Sequence, residues 1–214
     1  MKRLLSALPL ALALIGCATA PSTPTTMDYG RFEGNVFTND FFSLSIAVPE
    51  GWVVQDAATM ARLVKQGTDM LYSDNEEMKR AIEVADVENM QFFGAYQYPL
   101  GSAVEFNPSV ILMAENLKSA PGVVDGGDYL FHAKRMMEQS SVEFRIVEDT
   151  RPVTINGAEL HALDIAITYL GNEIRQRYYT RVLNGFAVAV VITWTNDEAL
   201  SELDASVSTL RFAR

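Results

Sequence analysis

The sequence predicts an α+β domain: a central antiparallel sheet with helices on both of its faces. Three observations lead there. In the C-terminal third, Asn156-Gly157, Gly171-Asn172 and Asn184-Gly185 are dipeptides of the tight hairpin type, and they separate apolar-rich runs. The run after the last of them is apolar at both parities, with Phe186, Val188, Val190, Ile192 and Trp194 on one side and Ala187, Ala189 and Val191 on the other. A strand of that kind is buried on both faces, so both faces need cover. Elsewhere the apolar residues fall at helical spacing, which supplies the cover. A chain of 214 residues, 49% hydrophobic and 21% charged, is long enough to bury a sizeable core.

The elements follow in chain order. Phe42, Leu44, Ile46 and Val48 alternate with Ser43, Ser45 and Ala47, the pattern of a half-buried strand. Pro49-Glu50-Gly51 is a turn signal, and Trp52 follows it. From Asp56 the period changes, and Met60, Leu63, Val64, Met70 and Leu71 share a helical face. Ser73-Asp74-Asn75-Glu76 reads as a capping box for a second short helix with Met78, Ala81, Ile82 and Ala85 inward; the alternative is one long helix kinked near Asp74. Strands are expected over Met90–Tyr98 and Val104–Ala114. Asp128 is placed to cap a helix with the stripe Leu130, Ala133, Met136 and Met137. After the meander, Thr195-Asn196-Asp197-Glu198 reads as a capping box, and Leu200, Leu203, Val207 and Leu210 form the stripe of a closing helix.

The hairpins also predict registers. With Gly171-Asn172 as a two-residue turn, Ile165 faces Tyr178 and Tyr169 faces Ile174. Asp164 then lies diagonally between Arg177 and Arg181. With Asn184-Gly185 as a two-residue turn, Trp194 sits opposite Arg175, a cation–π arrangement.

The chain opens Met1-Lys2-Arg3, followed by an apolar run from Leu4 to Ile15 and then Gly16-Cys17. Two cations ahead of a short apolar run make a secretory signal peptide, and the run falls short of the roughly 20 residues that span a bilayer. Leu14-Ile15-Gly16-Cys17 resembles the bacterial lipobox, and Cys17 is the chain's one cysteine. The resemblance implies cleavage before Cys17 and attachment of fatty acid, palmitate included, to a lipoprotein. Ala18, where an Asp would resemble an inner-membrane retention signal, implies the periplasmic face of the outer membrane. Ala20-Pro21-Ser22-Thr23-Pro24-Thr25-Thr26 lacks apolar periodicity and reads as a tether. Fully stretched, such a tether of about ten residues reaches on the order of 35 Å. The expected division is therefore a signal peptide over 1–16, a lipidated Cys and tether over 17–28, and one globular domain over 29–214.

Phe42–Val48 running into Pro49-Glu50-Gly51-Trp52, the hairpins at Asn156-Gly157 and Asn184-Gly185, and a closing helix with Val207 and Leu210 occur in that order. Together they resemble the PsbP-like α/β/α sandwich domains, which include small bacterial envelope lipoproteins. The resemblance covers about residues 30–214. It implies a binding or assembly factor and carries no catalytic motif.

Reading the residues for chemistry gives few candidates. A formal charge of −10 argues against nucleic acid, whose phosphates need a basic face. One cysteine excludes an internal disulfide and any multi-Cys metal site. His132 falls on the polar side of its helix and His161 at the rim of the core; the two lack metal-ligand spacing, so neither a metal nor a cofactor is expected. Nucleophile elbows, P-loops and dinucleotide fingerprints are absent from the sequence, so no catalytic residue is assigned. The acidic stretch Asp74–Glu88 is read as a solvated helix face, with a docking face for a basic partner or a divalent cation as the alternative. Arg175, Arg177 and Arg181 share one strand face; they form either an anion site or an ion-pair cluster with Asp164. The expected role is a non-enzymatic binding or assembly protein of the envelope, bound to the membrane by its lipid and to a protein partner. The alternatives are an envelope-polymer hydrolase using a carboxylate pair, and a small anion- or lipid-binding module at the arginine strand.

Overall fold

A computed structural model describes residues 27–71, 89–140, 143–169 and 171–213. The expected capping box at Ser73, the helix after it, the acidic stretch 74–88, Cys17 and the tether lie outside the described residues.

A seven-stranded sheet, antiparallel throughout, forms the centre. Its strands are β4 (Val53–Asp56), β5 (Asn89–Tyr96), β6 (Ser109–Asn116), β7 (Phe144–Ile155), β8 (Ala158–Tyr169), β9 (Asn172–Leu183) and β10 (Phe186–Trp194). Their order across the sheet is β4-β5-β6-β10-β9-β8-β7. β10 therefore sits fourth of seven, and Ala187 through Trp194 are buried. Its double-sided apolar pattern is the direct cause: neither parity tolerates water.

Helices cover both faces, as the apolar patterning requires. On one face lie α1 (Ala57–Leu71), packed on β4 and β5, and α2 (Gly126–Met137), packed on β7, β8 and β9. Met60 reaches Gly94 beneath α1, and Leu130 meets Leu163 and Ile165 beneath α2. On the other face lies α3 (Asp197–Val207), against β10. A second, four-stranded sheet shares that face. It consists of β1 (Arg31–Glu33), β2 (Val36–Asn39), β3 (Leu44–Ala47) and β11 (Arg211–Phe212), in the order β1-β2-β3-β11. Its inward residues Phe37, Leu44 and Ile46 join Phe93, Leu112, Val190, Ile192 and Leu203 in the main core. The core is lined by aromatic pairs, including Phe37 on Phe93 at 4.9 Å and Phe42 on Phe186 at 5.6 Å. Ser206 and Thr209 stitch the end of α3 to Ala47, the former donating to its carbonyl and the latter accepting from its N–H.

Several boundaries differ from those expected. Phe42, Leu44, Ile46 and Val48 are all buried, but Phe42 belongs to the turn before β3, where Ser43 takes a φ of 49°. The strand expected over Val104–Ala114 begins at Ser109. Before it, the Asn107 side chain accepts from the Tyr98 N–H at 2.9 Å and donates to the Tyr98 carbonyl at 2.8 Å. That amide imitates a strand partner and lets the loop bulge outward. At α2 the cap is Asp125, whose carboxylate accepts from Gly127 N–H at 2.7 Å and Asp128 N–H at 2.9 Å. Asp128 in turn accepts from the Val124 N–H, one residue before the cap. Met136 is exposed rather than in the stripe, because α2 buries the side of Leu130 and Met137 instead. At α3 the cap is Asn196, one residue later than Thr195, and it accepts from Ala199 N–H at 2.9 Å.

The hairpin registers separate into two that follow their dipeptides and one that does not. Asn156-Gly157 and Asn184-Gly185 each take two positive φ angles, so Ile155 pairs with Ala158 and Leu183 with Phe186. At Gly171-Asn172 the pairing instead closes one residue earlier, with Tyr169 opposite Asn172. Every partner across β8 and β9 moves by two positions. Ile165 faces Gln176 and Asp164 faces Arg177 directly. A shift of two preserves parity, so each side chain keeps its expected face.

Candidate binding site

The register places two chemically unlike surfaces on opposite sides of β8 and β9. Arg175, Arg177 and Arg181 project toward α3 and the small sheet, with Asp164 and Ala162. Asp164 is 6% exposed. One of its oxygens accepts from Arg177 Nε at 2.6 Å and the other from Arg151 Nη2 at 3.2 Å. Arg177 also donates to the Tyr179 hydroxyl at 3.2 Å and to Asp204 at 3.4 Å. Its guanidinium lies 5.6 Å from the ring of Trp194. The register opposing Trp194 to Arg175 is as expected, but the cation over the indole is Arg177, two residues along. Burial alone would lower the Arg177 guanidinium; Asp164 and then Tyr179 more than offset this and hold it above the usual range. Burial raises Asp204, and Arg177 draws it back down.

The remaining arginines are also engaged. Arg175 pairs with Glu173 at 2.7 Å, and Arg181 lies 5.0 Å from the ring of Phe212. The arginine strand thus holds an ion-pair and cation–π network that joins β7, β8, β9 and α3. Arg151, which completes it, was not legible in the sequence. The Glu148–Arg151 ion pair sits on β7 where the pairing with β8 is irregular, so no fixed period marks it.

The opposite side of the same two strands floors a cavity of about 1190 Å³. Ile165, Ile167, Ile174, Gln176 and Tyr178 form the floor, and Met137, Ser140 and Phe144 form one wall. The 97–108 loop forms the other wall, with Tyr98, Leu100, Val104 and Phe106 among its contributors. Tyr98, Leu100 and Val104 stand 40%, 41% and 40% exposed at this rim, three large apolar residues grouped on one loop.

The polar groups of the cavity are mostly occupied by the protein itself. The Tyr178 hydroxyl donates to Gln176 Oε1, and Gln176 Nε2 donates to Thr193 Oγ1 at 3.2 Å. Burial pushes the Tyr178 phenol above its usual range, so it stays neutral. Asn107 is tied to Tyr98, Ser102 donates to the Pro99 carbonyl, and Asn196 caps α3. Among the described lining residues the charged side chains are Glu105 and Glu173. Glu173 is held below the usual carboxylate range by Arg145 and Arg175. A carboxylate so held is a poor general acid.

The histidines lie apart from this cavity. His132 is exposed on α2. His161 is half-buried beside Gly127, near Asp125 at the start of that helix. Among the described residues no cluster of His, Cys, Asp or Glu could hold a metal ion. The sequence did carry one signal for the cavity: Leu100, Val104 and Phe106 are apolar residues in a stretch punctuated by Pro99, Gly101 and Pro108.

No protein-family model matches the chain, and no curated protein matches it. Solved structures do. The solution structure of cyanobacterial PsbP (CyanoP) from Synechocystis sp. PCC 6803 aligns over 85% of this chain and 95% of that one, at 8% identity and a TM-score of 0.50. The fold is PsbP-like. LpqN of Mycobacterium tuberculosis, described as involved in cell envelope biogenesis, aligns over 78% and 79% of the two chains at 15% identity and a TM-score of 0.46. PA94 of Pseudomonas aeruginosa, a protein of unknown function, aligns over 55% and 81% at 15% identity and a TM-score of 0.41. The likeness extends to architecture alone.

Proposed function

We propose that this chain is a lipoprotein tethered through Cys17 to the periplasmic face of the outer membrane, and that its folded part is a non-enzymatic binding module. The cavity between α2 and the 97–108 loop is the binding site. The observation that carries the reading is its rim: three large apolar side chains held open to water above a largely apolar floor. Exposing them costs roughly 25 cal/mol per Å² of apolar surface, which a bound partner recovers. The anchor rests on the lipobox-like Leu14-Ile15-Gly16-Cys17. One acyl chain binds a membrane marginally and two or more hold it firmly.

The geometry favours binding over both alternatives. A carboxylate-pair hydrolase needs two acids free to flank its substrate, and of the two acids among the described lining residues Glu173 is already tied to Arg145 and Arg175. An anion site at Arg175, Arg177 and Arg181 needs open guanidinium groups, and these three already engage Glu173, Asp164 and Phe212.

Two measurements test the reading. Labelled palmitate enters the native chain and is lost in Cys17→Ser, which leaves the membrane fraction; unchanged labelling or fractionation refutes the anchor. A photocrosslinking residue at position 100 captures a specific envelope component in cells. If position 100 gives no more adduct than a photocrosslinker at exposed Glu50, the cavity is not the binding site.

A further inference from the structure

We infer that the occupant of this cavity is a single uncharged acyl chain from a membrane lipid, with its headgroup left at the mouth. The inference rests on the cavity being a binding site and specifies the chemistry it accepts. Three observations lead to it.

The floor is apolar where it matters. Ile165, Ile167 and Ile174 contribute hydrocarbon, and the polar groups among them, Tyr178 and Gln176, already satisfy each other and Thr193. A glycan or an extended peptide buried there would meet few open donors and acceptors, and its own polar groups would go unpaired. A methylene chain leaves nothing unpaired on either side.

The charge pattern points the same way. Among the described lining residues only Glu105 and Glu173 are charged, and Glu173 is neutralised by Arg145 and Arg175. The depth of the cavity therefore offers a buried charge no partner, so the inserted portion is neutral. Any polar head stays beside Glu105 on the exposed loop.

The dimensions agree. About 1190 Å³ is somewhat above the roughly 300–1,000 Å³ typical of small-molecule sites, so one acyl chain fits within it. The rim residues Tyr98, Leu100 and Val104 continue the apolar surface outward, as a chain entering from a bilayer requires.

The experiment uses the full chain carrying Cys17→Ser, so that the acyl chain offered is the added one. N-phenyl-1-naphthylamine serves as a neutral fluorescent reporter, displaced by monoacylglycerols of increasing length. Affinity is expected to rise about fourfold per added methylene, the equivalent of roughly 0.8 kcal/mol, until the cavity is full. Ile174→Trp, which fills the floor, abolishes displacement, and Leu100→Ser at the exposed rim weakens it several-fold without touching the core. Displacement that is independent of chain length, or matched by maltoheptaose, and lost in Ile174→Trp overturns the acyl-chain inference but leaves the cavity a binding site. Reporter binding indifferent to both variants overturns the inference; an empty result at position 100 in cells would then remove the binding-site reading as well.

Discussion

Replacing Asp164 tests whether the network across β8 and β9 holds the sheet to α3. The carboxylate is 6% exposed and accepts one charge-assisted bond from each of two arginines, at 2.6 and 3.2 Å. Asp164→Asn removes the charge and keeps the volume. It leaves two guanidinium groups facing one another with their shared anion gone. Breaking a buried pair of this kind costs about 3–5 kcal/mol. Both cations keep a second acid, Arg177 with Asp204 at 3.4 Å and Arg151 with Glu148 at 2.9 Å. Their side chains are also 21% and 26% exposed, so water relieves part of the charge. The lower end, about 3 kcal/mol, is therefore expected. In a chain of this size that corresponds to a fall in Tm of roughly 6–12 °C.

Urea denaturation followed by tryptophan emission measures it directly. One of the two tryptophans, Trp194, lies under Arg177 and reports on the site itself. Asp204 supplies an independent readout. Its carboxyl is raised first by burial and further by the repulsion of Asp164, so Asp164→Asn shifts it downward in a carboxyl-carbon NMR titration. Asp164→Leu combined with Arg177→Met removes both charges and recovers most of the lost stability. A loss below about 0.5 kcal/mol for Asp164→Asn, or an equal loss with and without Arg177, would refute the reasoning.

Other expectations concern the elements around the cavity. Gly126→Ala places a Cβ 2.3 Å from the Thr180 backbone carbonyl and is expected to destabilise by about 1–3 kcal/mol, as overpacking does, whereas Gly94→Ala meets the flexible end of Met60 and costs less; equal unfolding midpoints would count against the stated packing. Asp125→Ala removes the α2 cap and costs about 1 kcal/mol, while Asp125→Asn is nearly neutral. Hydrogen bonding from Asp128 N–H, against a small opposing desolvation, and then from Gly127 N–H lowers the exposed Asp125, so its contribution is present above the usual Asp range and lost as pH falls through the lower folded value. An Asp125 carboxyl titrating at its usual value would contradict this. Burial raises Tyr178, so its contribution is complete below the ordinary phenol range and lost as pH rises toward the folded value. Alkaline difference absorbance should show a late-ionising phenol in the native chain that Tyr178→Phe lacks, and identical curves would remove Tyr178 from the buried set.

The arrangement of the β meander was legible because side-chain alternation has a period of two and because Asn-Gly turns restrict φ. Asn156-Gly157 and Asn184-Gly185 behave in this way. Gly171-Asn172 does not: Gly171 takes a positive φ, at 81°, and immediately precedes Asn172, which pairs with Tyr169 rather than forming part of the turn. One glycine serves either position, so the dipeptide left two registers of equal parity, and pairing across the whole of β8 and β9 chose between them. Similarly, the closing helix was visible in Leu203 and Val207, but its cap was decided between adjacent polar residues by which side chain reached the free N–H of Ala199.

The residue pattern by itself determined the class of the fold, the burial of β10 on both sides, and which side chains share a face, because each follows from local periodicity and the exclusion of water. Tertiary structure alone decided that β1, β2, β3 and β11 form a second sheet, since β11 reaches β3 from the far end of the chain. It also brought Arg151 to Asp164 and enclosed the cavity between α2 and the 97–108 loop. Those features join residues distant in sequence, and no periodicity records which distant surfaces meet.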